Sequence, residues 1–203
     1  MILPIVAYGD PVLKKEGELI TADYPALDQL VADMFDTMYK ASGVGLAAPQ
    51  VGKSIKLFIV DASPFAEKDE EDEELDEDDE LSDYDPSLKD FKKVFINPEI
   101  LEETGEAWIF NEGCLSIPKV REDIARLPKI KIKYQDENFE SHTETFEGIP
   151  ARIIQHEYDH IMGKLFVDHL TPMRRKMLKG KLDDISKGLV DVSYKMKFPN
   201  RRK

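Results

Sequence analysis

The chain has 203 residues, of which 41% are hydrophobic, and its formal net charge is −13. This length can bury one adequate hydrophobic core, and no apolar run approaches the ~18–20 residues that a membrane-spanning helix requires. The single cysteine excludes an internal disulfide bond and allows a reducing compartment, so we expect a cytoplasmic protein with no membrane partner. The composition therefore predicts one domain over residues 1–203.

The first predicted element is a helix whose apolar residues recur at helical spacing. They are Leu27, Leu30, Val31, Met34 and Met38. A glycine-rich segment at 43–52 follows this helix. A dinucleotide-binding loop would need a preceding strand and a third glycine at position 48, but that residue is Ala48, so a nucleotide site is not expected. Taken alone, the segment is an ordinary flexible turn.

The net negative charge comes from one segment. Residues 67–85 hold fourteen Asp or Glu and one Lys, which leaves 27 acidic and 27 basic residues in the rest of the chain. Such a run repels itself and cannot contribute to a core. We therefore predict an acidic surface insertion at 67–90 between two strands, at 56–61 and 92–97, with solvation favoured over a specific contact as its role.

Further strands are predicted at 107–110, 129–134 and 140–146, and the second of them alternates basic and apolar side chains with period two. A helix predicted at 150–161 begins with Pro150, which suits a first helical turn because its missing N–H is not needed there. The order of elements predicts an α+β fold, with mixed or antiparallel sheets packed around this central helix and a further helix near the C-terminus.

The central helix carries the most informative motif of the chain, Gln-His-Glu-Tyr-Asp-His at 155–160. His156 and His160 lie four residues apart, on the same helical face, and two imidazoles at that spacing can hold a divalent metal ion. Glu157 is placed to act on a metal-bound water. The alternative is a core helix whose histidines are only hydrogen-bonded, but the pair together with the glutamate favours the metal.

A catalytic site of this type needs three protein ligands and one open position. The metzincin pattern would place a histidine at position 166, which is Phe166, and the downstream glutamate of other zincins is absent from 176–190. The single cysteine, Cys114, lies upstream. A lone cysteine is most often a small buried hydrophobic residue, but a Cys–His–His set with one open position is a known catalytic ligand class.

Three segments of the chain form a recognisable set. They are Gly-Val-Gly-Leu-Ala-Ala-Pro-Gln at 43–50, Glu-Gly-Cys-Leu-Ser at 112–116 and Gln-His-Glu-Tyr-Asp-His at 155–160. In composition, order and approximate spacing they resemble the peptide deformylases, and the resemblance extends from the N-terminus to about residue 170. The acidic insertion departs from the compact form of that family.

The resemblance implies a reaction and a metal. Members of the family remove the formyl group from the N-terminal formyl-methionine of new polypeptides and release formate. Cys114, His156 and His160 would bind one divalent ion, ferrous iron natively, with zinc, nickel or cobalt as substitutes in purified samples. A water in the fourth position would attack the formyl carbon.

The same resemblance implies catalytic and substrate-binding residues. Glu157 would be the general base and then the general acid. The Gln50 side-chain amide and the Leu115 backbone N–H would bind the carbonyl oxygen, and one such donor is typically worth about 3–4 kcal/mol. For the side chains of the implied methionine pocket, simple core packing is the alternative. The substrate-binding candidates are Gly45, Val44, Phe110, Arg121, Ile149 and Ile153.

The chain ends in a predicted basic helix and tail, residues 172–203. Residues 174–203 carry eleven Lys or Arg and three Asp. A basic helix can approach ribosomal RNA through phosphate attraction, which would suit an enzyme that acts on emerging chains, whereas a solvated tail is the alternative. We expect formyl-methionyl nascent peptides as partners, a transient ribosome contact, no DNA contact and a monomer.

Two other functions remain open from the sequence. A metallopeptidase shares the His-Glu motif but lacks its usual third ligand, and a peptide assayed with and without its formyl group separates the two activities. A non-catalytic protein with a closed structural metal site would need a fourth protein ligand, and the chain has no second cysteine.

Overall fold

β-Strands, α-helices and short 3-10 helices make up the regular structure in the part of the chain that the computed structural model describes, residues 1–66 and 84–200. The helices are α1 (Leu27–Lys40), α2 (Gly148–Ile161) and α3 (Pro172–Ser186). The strands are β1 (Ile5–Val6), β2 (Gly45–Ala47), β3 (Leu57–Asp61), β4 (Lys92–Thr104), β5 (Trp108–Cys114), β6 (Ile117–Arg126), β7 (Lys129–Gln135), β8 (Ser141–Glu147) and β9 (Met196–Lys197). The α+β prediction is confirmed. No helix among the described residues is long and apolar enough to cross a membrane.

The largest sheet has five strands in the order β2-β3-β4-β7-β8, and every neighbouring pair is antiparallel. Strand β4 continues well beyond the predicted end at residue 97. Pro98 cannot donate a hydrogen bond to a ladder, and the pairing of β4 with β7 shifts register between Ile96 and Glu99 before it resumes. A bulge therefore accommodates the proline without ending the strand.

Helix α2 packs against this sheet and contacts β2, β3, β7 and β8. Ten of its fourteen residues are buried, which makes it the central helix that the sequence predicted. It begins two residues before the predicted start, because β8 leads straight into it through Gly148, whose φ of 62° makes the turn. After the helix, Gly163 at φ 71° ends it, as a left-handed residue commonly does.

The glycine-rich segment is not a flexible turn. Residues Gly45–Ala47 form β2 at the edge of the main sheet, and Ala48–Val51 form a short 3-10 helix directly after it. The pairing of β2 with β3 and the packing of the segment under α2 fix a backbone that its composition alone leaves free. Gln50 therefore occupies a defined position beside the central helix.

Strands β5 and β6 form a separate antiparallel hairpin, whose tight turn at residues 114–117 carries Cys114 and Leu115. Strand β6 was not predicted from the sequence. Its side chains alternate between buried and exposed, but the buried face includes the charged residues Glu122 and Arg126, so the apolar alternation is weak.

The residues after α3 fold back onto the domain. Strand β9 pairs in parallel with β1, and the Ile5 and Ala7 N–H groups donate to Lys195 and Lys197 carbonyls, each at 2.9 Å. Through residue 200 this segment is packed, which differs from the solvated tail considered above. Residues 201–203 lie outside the described part of the chain.

Most of the acidic insertion predicted at 67–90 also lies outside the described residues. In its described part, Pro86–Asp90 form a short 3-10 helix with Leu88 buried. The Asp85 N–H donates to the Phe65 carbonyl at 2.8 Å, so the two flanks of the insertion meet.

Candidate metal centre and catalytic cavity

The cysteine and the two histidines of the predicted metal set converge. Helix α2 carries His156 and His160 on one face, with ring centroids 5.1 Å apart, and the hairpin turn brings the Cys114 sulfur to 3.2 Å from Nε2 of His160. One ligand atom from each residue lies within 4.8 Å of the other two. A thiolate and two imidazoles suit a divalent zinc-like or iron-like ion, so the donor set fits the predicted metal.

The charges around Cys114 favour its metal-binding form. Burial raises the pKa of the thiol, but the charges of His160 and His156 and their hydrogen bonds outweigh burial and bring the pKa to about 5. At neutral pH the sulfur is therefore a thiolate, the form that coordinates a metal ion.

Glu112 orients one of the two histidines. Its Oε2 lies 2.9 Å from Nδ1 of His156, which leaves the Nε2 side of that ring for the metal cluster. Burial raises the pKa of Glu112, but His156 and Arg126 outweigh it, so the pKa stays well below its usual range. The sequence identifies Glu112 only as part of a motif, although a metal-binding histidine commonly needs such a partner.

Two buried arginines complete the support of Glu112. Arg126 donates from Nε and Nη2 to the two carboxylate oxygens at 2.7 and 3.0 Å, and Arg152 donates from Nη1 at 3.0 Å. Arg126 also reaches Asp159 at 2.8 Å, and that carboxylate lies 2.7 Å from Nε2 of His169. None of these contacts was predicted, because they join residues that are distant in sequence and carry no periodic signal.

Glu157 lies on the cavity wall in an unusual environment. Its side chain is only 4% exposed, and within the described residues its Oε2 has no hydrogen-bond partner. Burial raises its pKa to about 7, even though the charges of His156 and His160 act in the opposite direction. A carboxylate with a pKa near neutrality can both accept and return a proton at physiological pH.

The Gln50 side chain presents its N–H groups to the same cluster. Its carbonyl oxygen accepts the Ala47 N–H at 2.8 Å, so the amide nitrogen faces Ser116 Oγ at 3.3 Å and the Cys114 sulfur at 3.5 Å. Gln50 is 1% exposed, and this packing holds the amide in one orientation.

A cavity of about 840 Å³ opens beside these groups. Arg121 lies at its rim, where its guanidinium donates to the side-chain and backbone oxygens of Asn111. The cavity is lined by every substrate-binding candidate that the sequence supplied. These are Val44, Gly45, Phe110, Arg121, Ile149 and Ile153.

Comparisons with known proteins agree on one family. The model of the polypeptide deformylase family matches residues 2–176. The chain is 58% identical to a peptide deformylase of Christiangramia forsetii, over 100% of this chain and 99% of that protein. It is 53% identical to one of Flavobacterium psychrophilum over the full length of both.

The chain belongs to the peptide deformylase family. Deformylases remove the N-formyl group from nascent peptides, and the protein is an enzyme of this class. A crystal structure of a peptide deformylase from Legionella pneumophila has a TM-score of 0.72 at 36% identity and covers 93% of this chain and 98% of its own. One from Thermotoga maritima has a TM-score of 0.68, also at 36% identity, and covers 85% of this chain and 99% of its own.

These comparisons confirm the family, the fold class and the enzyme class predicted from the sequence. Peptide deformylases are metallohydrolases, and the cluster of Cys114, His156 and His160 is a candidate site for the ion. The deformylase family model ends at residue 176, so α3 beyond that point and the returning segment with β9 lie outside it.

Proposed function

We propose that Cys114, His156 and His160 hold one divalent cation, and that Glu157 uses it to hydrolyse the formyl group of formyl-methionyl nascent peptides. The support is one observation: three ligand atoms lie within 4.8 Å of one another, and a buried carboxylate without a hydrogen-bond partner among the described residues faces the same cavity. When bound, the cation supplies Lewis-acid polarisation and lowers the pKa of a coordinated water.

Glu157 moves the proton in this proposal. As an ionised carboxylate it accepts a proton from the attacking water, and it then donates that proton to the departing amine when the C–N bond of the formamide breaks. Its pKa of about 7 suits both steps. Formate and a free N-terminal methionine are the products.

Two N–H donors meet the charge that develops on the carbonyl oxygen. We assign them to the Gln50 amide, already held with its nitrogen toward the metal cluster, and to the Leu115 backbone. Preorganised donors of this kind stabilise a transition state because they need no reorientation when the charge appears.

The methionine side chain is proposed to occupy the apolar part of the cavity. Val44, Phe110, Ile149 and Ile153 line that part, while Gly45 offers its backbone to the substrate. Arg121, fixed against Asn111 at the rim, is assigned to the substrate backbone.

We propose ferrous iron as the native cation, with zinc, nickel or cobalt as substitutes. The Cys114 thiolate brings a soft, negatively charged donor to the site, which suits late first-row metals. Metal analysis of protein purified without oxygen, coupled to a formate-release assay, tests this. Iron at about one ion per chain with the highest turnover is expected; iron-free protein with full turnover contradicts the assignment.

The decisive assay compares one peptide with and without its formyl group. Formate release from the formylated peptide alone is expected, and cleavage of an internal peptide bond would instead indicate a metallopeptidase.

The Glu157→Gln variant should keep its metal content but lose at least ~100-fold in kcat, since general acid–base catalysis typically contributes that much. Retained turnover in this variant would remove the proposed mechanism.

We also propose that the protein works as a cytoplasmic monomer that touches the ribosome through α3. Lys176 and Lys181 are exposed on this helix, as are the apolar side chains of Met173 and Met177. Part of the positive charge of α3 is neutralised within the protein, because Arg174 pairs with Glu122. The supporting feature is therefore a small basic and apolar face.

Ribosome binding is tested by co-sedimentation at rising salt. Binding that weakens steeply with salt is expected, because phosphate contacts release counterions. Lys176→Glu with Lys181→Glu should weaken binding further without changing formate release. Unchanged co-sedimentation of this double variant would refute the contact, and light scattering of the free protein checks the monomer.

A further inference from the structure

The segment that returns after α3 contributes a side chain to the catalytic cavity. Tyr194 lines this cavity together with Cys114 and Glu157, although it lies 18 residues beyond the last position matched by the family model, residue 176. Its ring is partly buried against the hydrophobic core. Nothing in the three sequence motifs points to this residue.

The Tyr194 hydroxyl contacts the backbone of the hairpin turn. It donates a hydrogen bond to the Leu115 carbonyl oxygen at 2.8 Å. Leu115 is also the residue whose N–H is assigned to the reacting carbonyl, so the tyrosine restrains the backbone of the residue that presents this donor.

The next residue of the turn, Ser116, is also held by hydrogen bonds. The Ser116 carbonyl accepts the Tyr8 N–H at 2.9 Å, and the Ser116 hydroxyl lies 3.3 Å from the Gln50 amide nitrogen. Two successive carbonyls of the turn are thus fixed by the N-terminal and C-terminal segments of the chain. Those two segments are joined to each other by the β1–β9 pair.

The segment that carries Tyr194 is itself anchored on both sides. Before it, Gly188 adopts φ 75°, and a Cβ atom there would lie 3.1 Å from the Phe198 ring, so the chain turns back tightly. After it, the Asn200 N–H donates to the Ser186 carbonyl at 3.0 Å. The backbone that carries the Tyr194 side chain is therefore held in place on both sides.

We propose that Tyr194 is a positioning residue for deformylation, which orients Leu115 so that its N–H meets the oxygen of the reacting carbonyl. The inference rests on the proposed role of the Leu115 N–H. A donor of this kind acts only within about 2.7–3.1 Å of the developing oxyanion, so a small rotation of the turn removes much of its effect. The apolar lining by Val44, Ile149 and Ile153 lies outside the turn and does not depend on this rotation.

The test is Tyr194→Phe, which removes the hydroxyl and keeps the ring. We expect kcat to fall roughly tenfold, less than the ~100-fold or greater loss that follows complete removal of such a donor, with KM within twofold. Binding is measured separately on the metal-loaded protein with two probes. A peptidyl hydroxamate, an anionic mimic of the reacting carbonyl, should bind roughly tenfold more weakly, while the deformylated product peptide should bind as before.

The matched control is Tyr39→Phe. Tyr39 also donates through its hydroxyl, to Asp61 at 2.6 Å, but it lies outside the cavity, so kcat and both binding constants should not change. Metal content and melting temperature of each variant are recorded. Tyr194→Leu, which removes the ring as well, should lower kcat at least as far as Tyr194→Phe.

The outcomes separate the inference from the proposed function. Wild-type protein without formate release would refute the proposed function itself. Active wild-type protein with unchanged kcat in Tyr194→Phe would refute only the positioning role. Equal weakening of the hydroxamate and the product would show that Tyr194 serves as a general wall of the cavity, which also overturns the inference.

Discussion

Gly45 and Glu157 are in such close contact that the glycine determines where the carboxylate can lie. A Cβ atom built on Gly45 would fall 2.5 Å from Oε1 and 2.8 Å from Cγ of Glu157. Since φ of Gly45 is not positive, the residue is required for space and not for backbone conformation. The packing of Glu157 therefore requires a glycine at this position, whether or not the residue also contacts the substrate.

We expect Gly45→Ala to lower kcat/KM at least ~100-fold, because Glu157, the proposed general base, loses its alignment when it is displaced by about 1 Å. Metal content should not change. The control is Gly180→Ala in α3, where a Cβ meets nothing within 4 Å; it should keep full activity and add about 0.5–1 kcal/mol of stability. Steady-state kinetics and thermal unfolding measure both effects. An active Gly45→Ala enzyme would contradict the steric argument.

The raised pKa of Glu157 predicts the pH dependence of the reaction. In the proposed mechanism the ionised carboxylate is the base, so kcat/KM should fall tenfold per pH unit on the acidic side. Burial sets the pKa to about 7, and the added positive charge of a bound cation lowers it, so the acid limb should lie below about pH 7. A pH–rate profile measures this limb, and a limb well above pH 7 would exclude Glu157 as its origin.

The same raised pKa of Glu157 makes stability fall as the pH rises, whereas activity should rise with pH over this range. Because the folded state of the metal-free protein holds the Glu157 proton more tightly than the unfolded chain does, this group's contribution is complete below about pH 4.5. It is lost as the pH rises through about 7. Glu157→Gln should therefore remove that part of the stability loss between about pH 4.5 and 7, as measured by denaturant unfolding.

At the level of elements, one buried carboxylate joins the hairpin to the central helix. Glu112 on β5 accepts hydrogen bonds from Arg126 on β6 and from Arg152 and His156 on α2. Arg152 also donates to the Ile124 carbonyl at 3.0 Å, so the helix is tied to the backbone of the hairpin as well. The candidate metal ligand on β5 and the two on α2 are thus held in fixed relative positions by buried ion pairs.

Glu112→Gln should weaken metal binding by about 10–100-fold, as expected when the partner of a ligand histidine is altered. It should also cost about 3 kcal/mol or more, because Arg152 then loses its buried counter-charge and Arg126 keeps only that of Asp159. Chelator competition and denaturant unfolding give the two quantities. Glu122→Gln, on the neighbouring strand and paired with an exposed arginine, serves as the control and should leave metal affinity unchanged. Equal metal affinity in both variants would refute the orienting role.

At the level of the whole molecule, nearly all of the net negative charge lies in one segment that could be removed from the rest of the chain. Residues 67–83 contain thirteen acidic residues and one lysine, so the remainder of the chain has a net charge of −1. The flanks of this segment are bridged by the hydrogen bond between Asp85 and Phe65. A short linker is therefore long enough to close the gap.

Replacement of residues 67–83 by a linker of about four Gly and Ser residues should leave kcat/KM within twofold of the wild type. The melting temperature should change by no more than a few degrees, since loop length affects closure entropy only logarithmically. Electrophoretic mobility and solubility near pH 5 report the lost charge. A large fall in kcat/KM would show that the acidic segment takes part in catalysis or substrate capture.

The sequence by itself determined the features that depend on local spacing. Histidines four residues apart must share one face of a helix, and the alternation at residues 129–134 must place its apolar side chains on one side of a strand. The element order then led to the α+β class. In each case the periodicity of the backbone converts sequence distance directly into direction.

Tertiary structure alone decided which distant groups meet. The sequence could nominate Cys114 but could not bring its sulfur to 3.2 Å from His160, nor pair Glu112 with two arginines, nor return Tyr194 to Leu115 across 79 residues of chain. Contacts of this kind depend on how sheets and helices pack, and packing has no period that a single sequence displays. Local motifs thus identify the candidate metal ligands, whereas the orientation of these ligands depends on the folded chain.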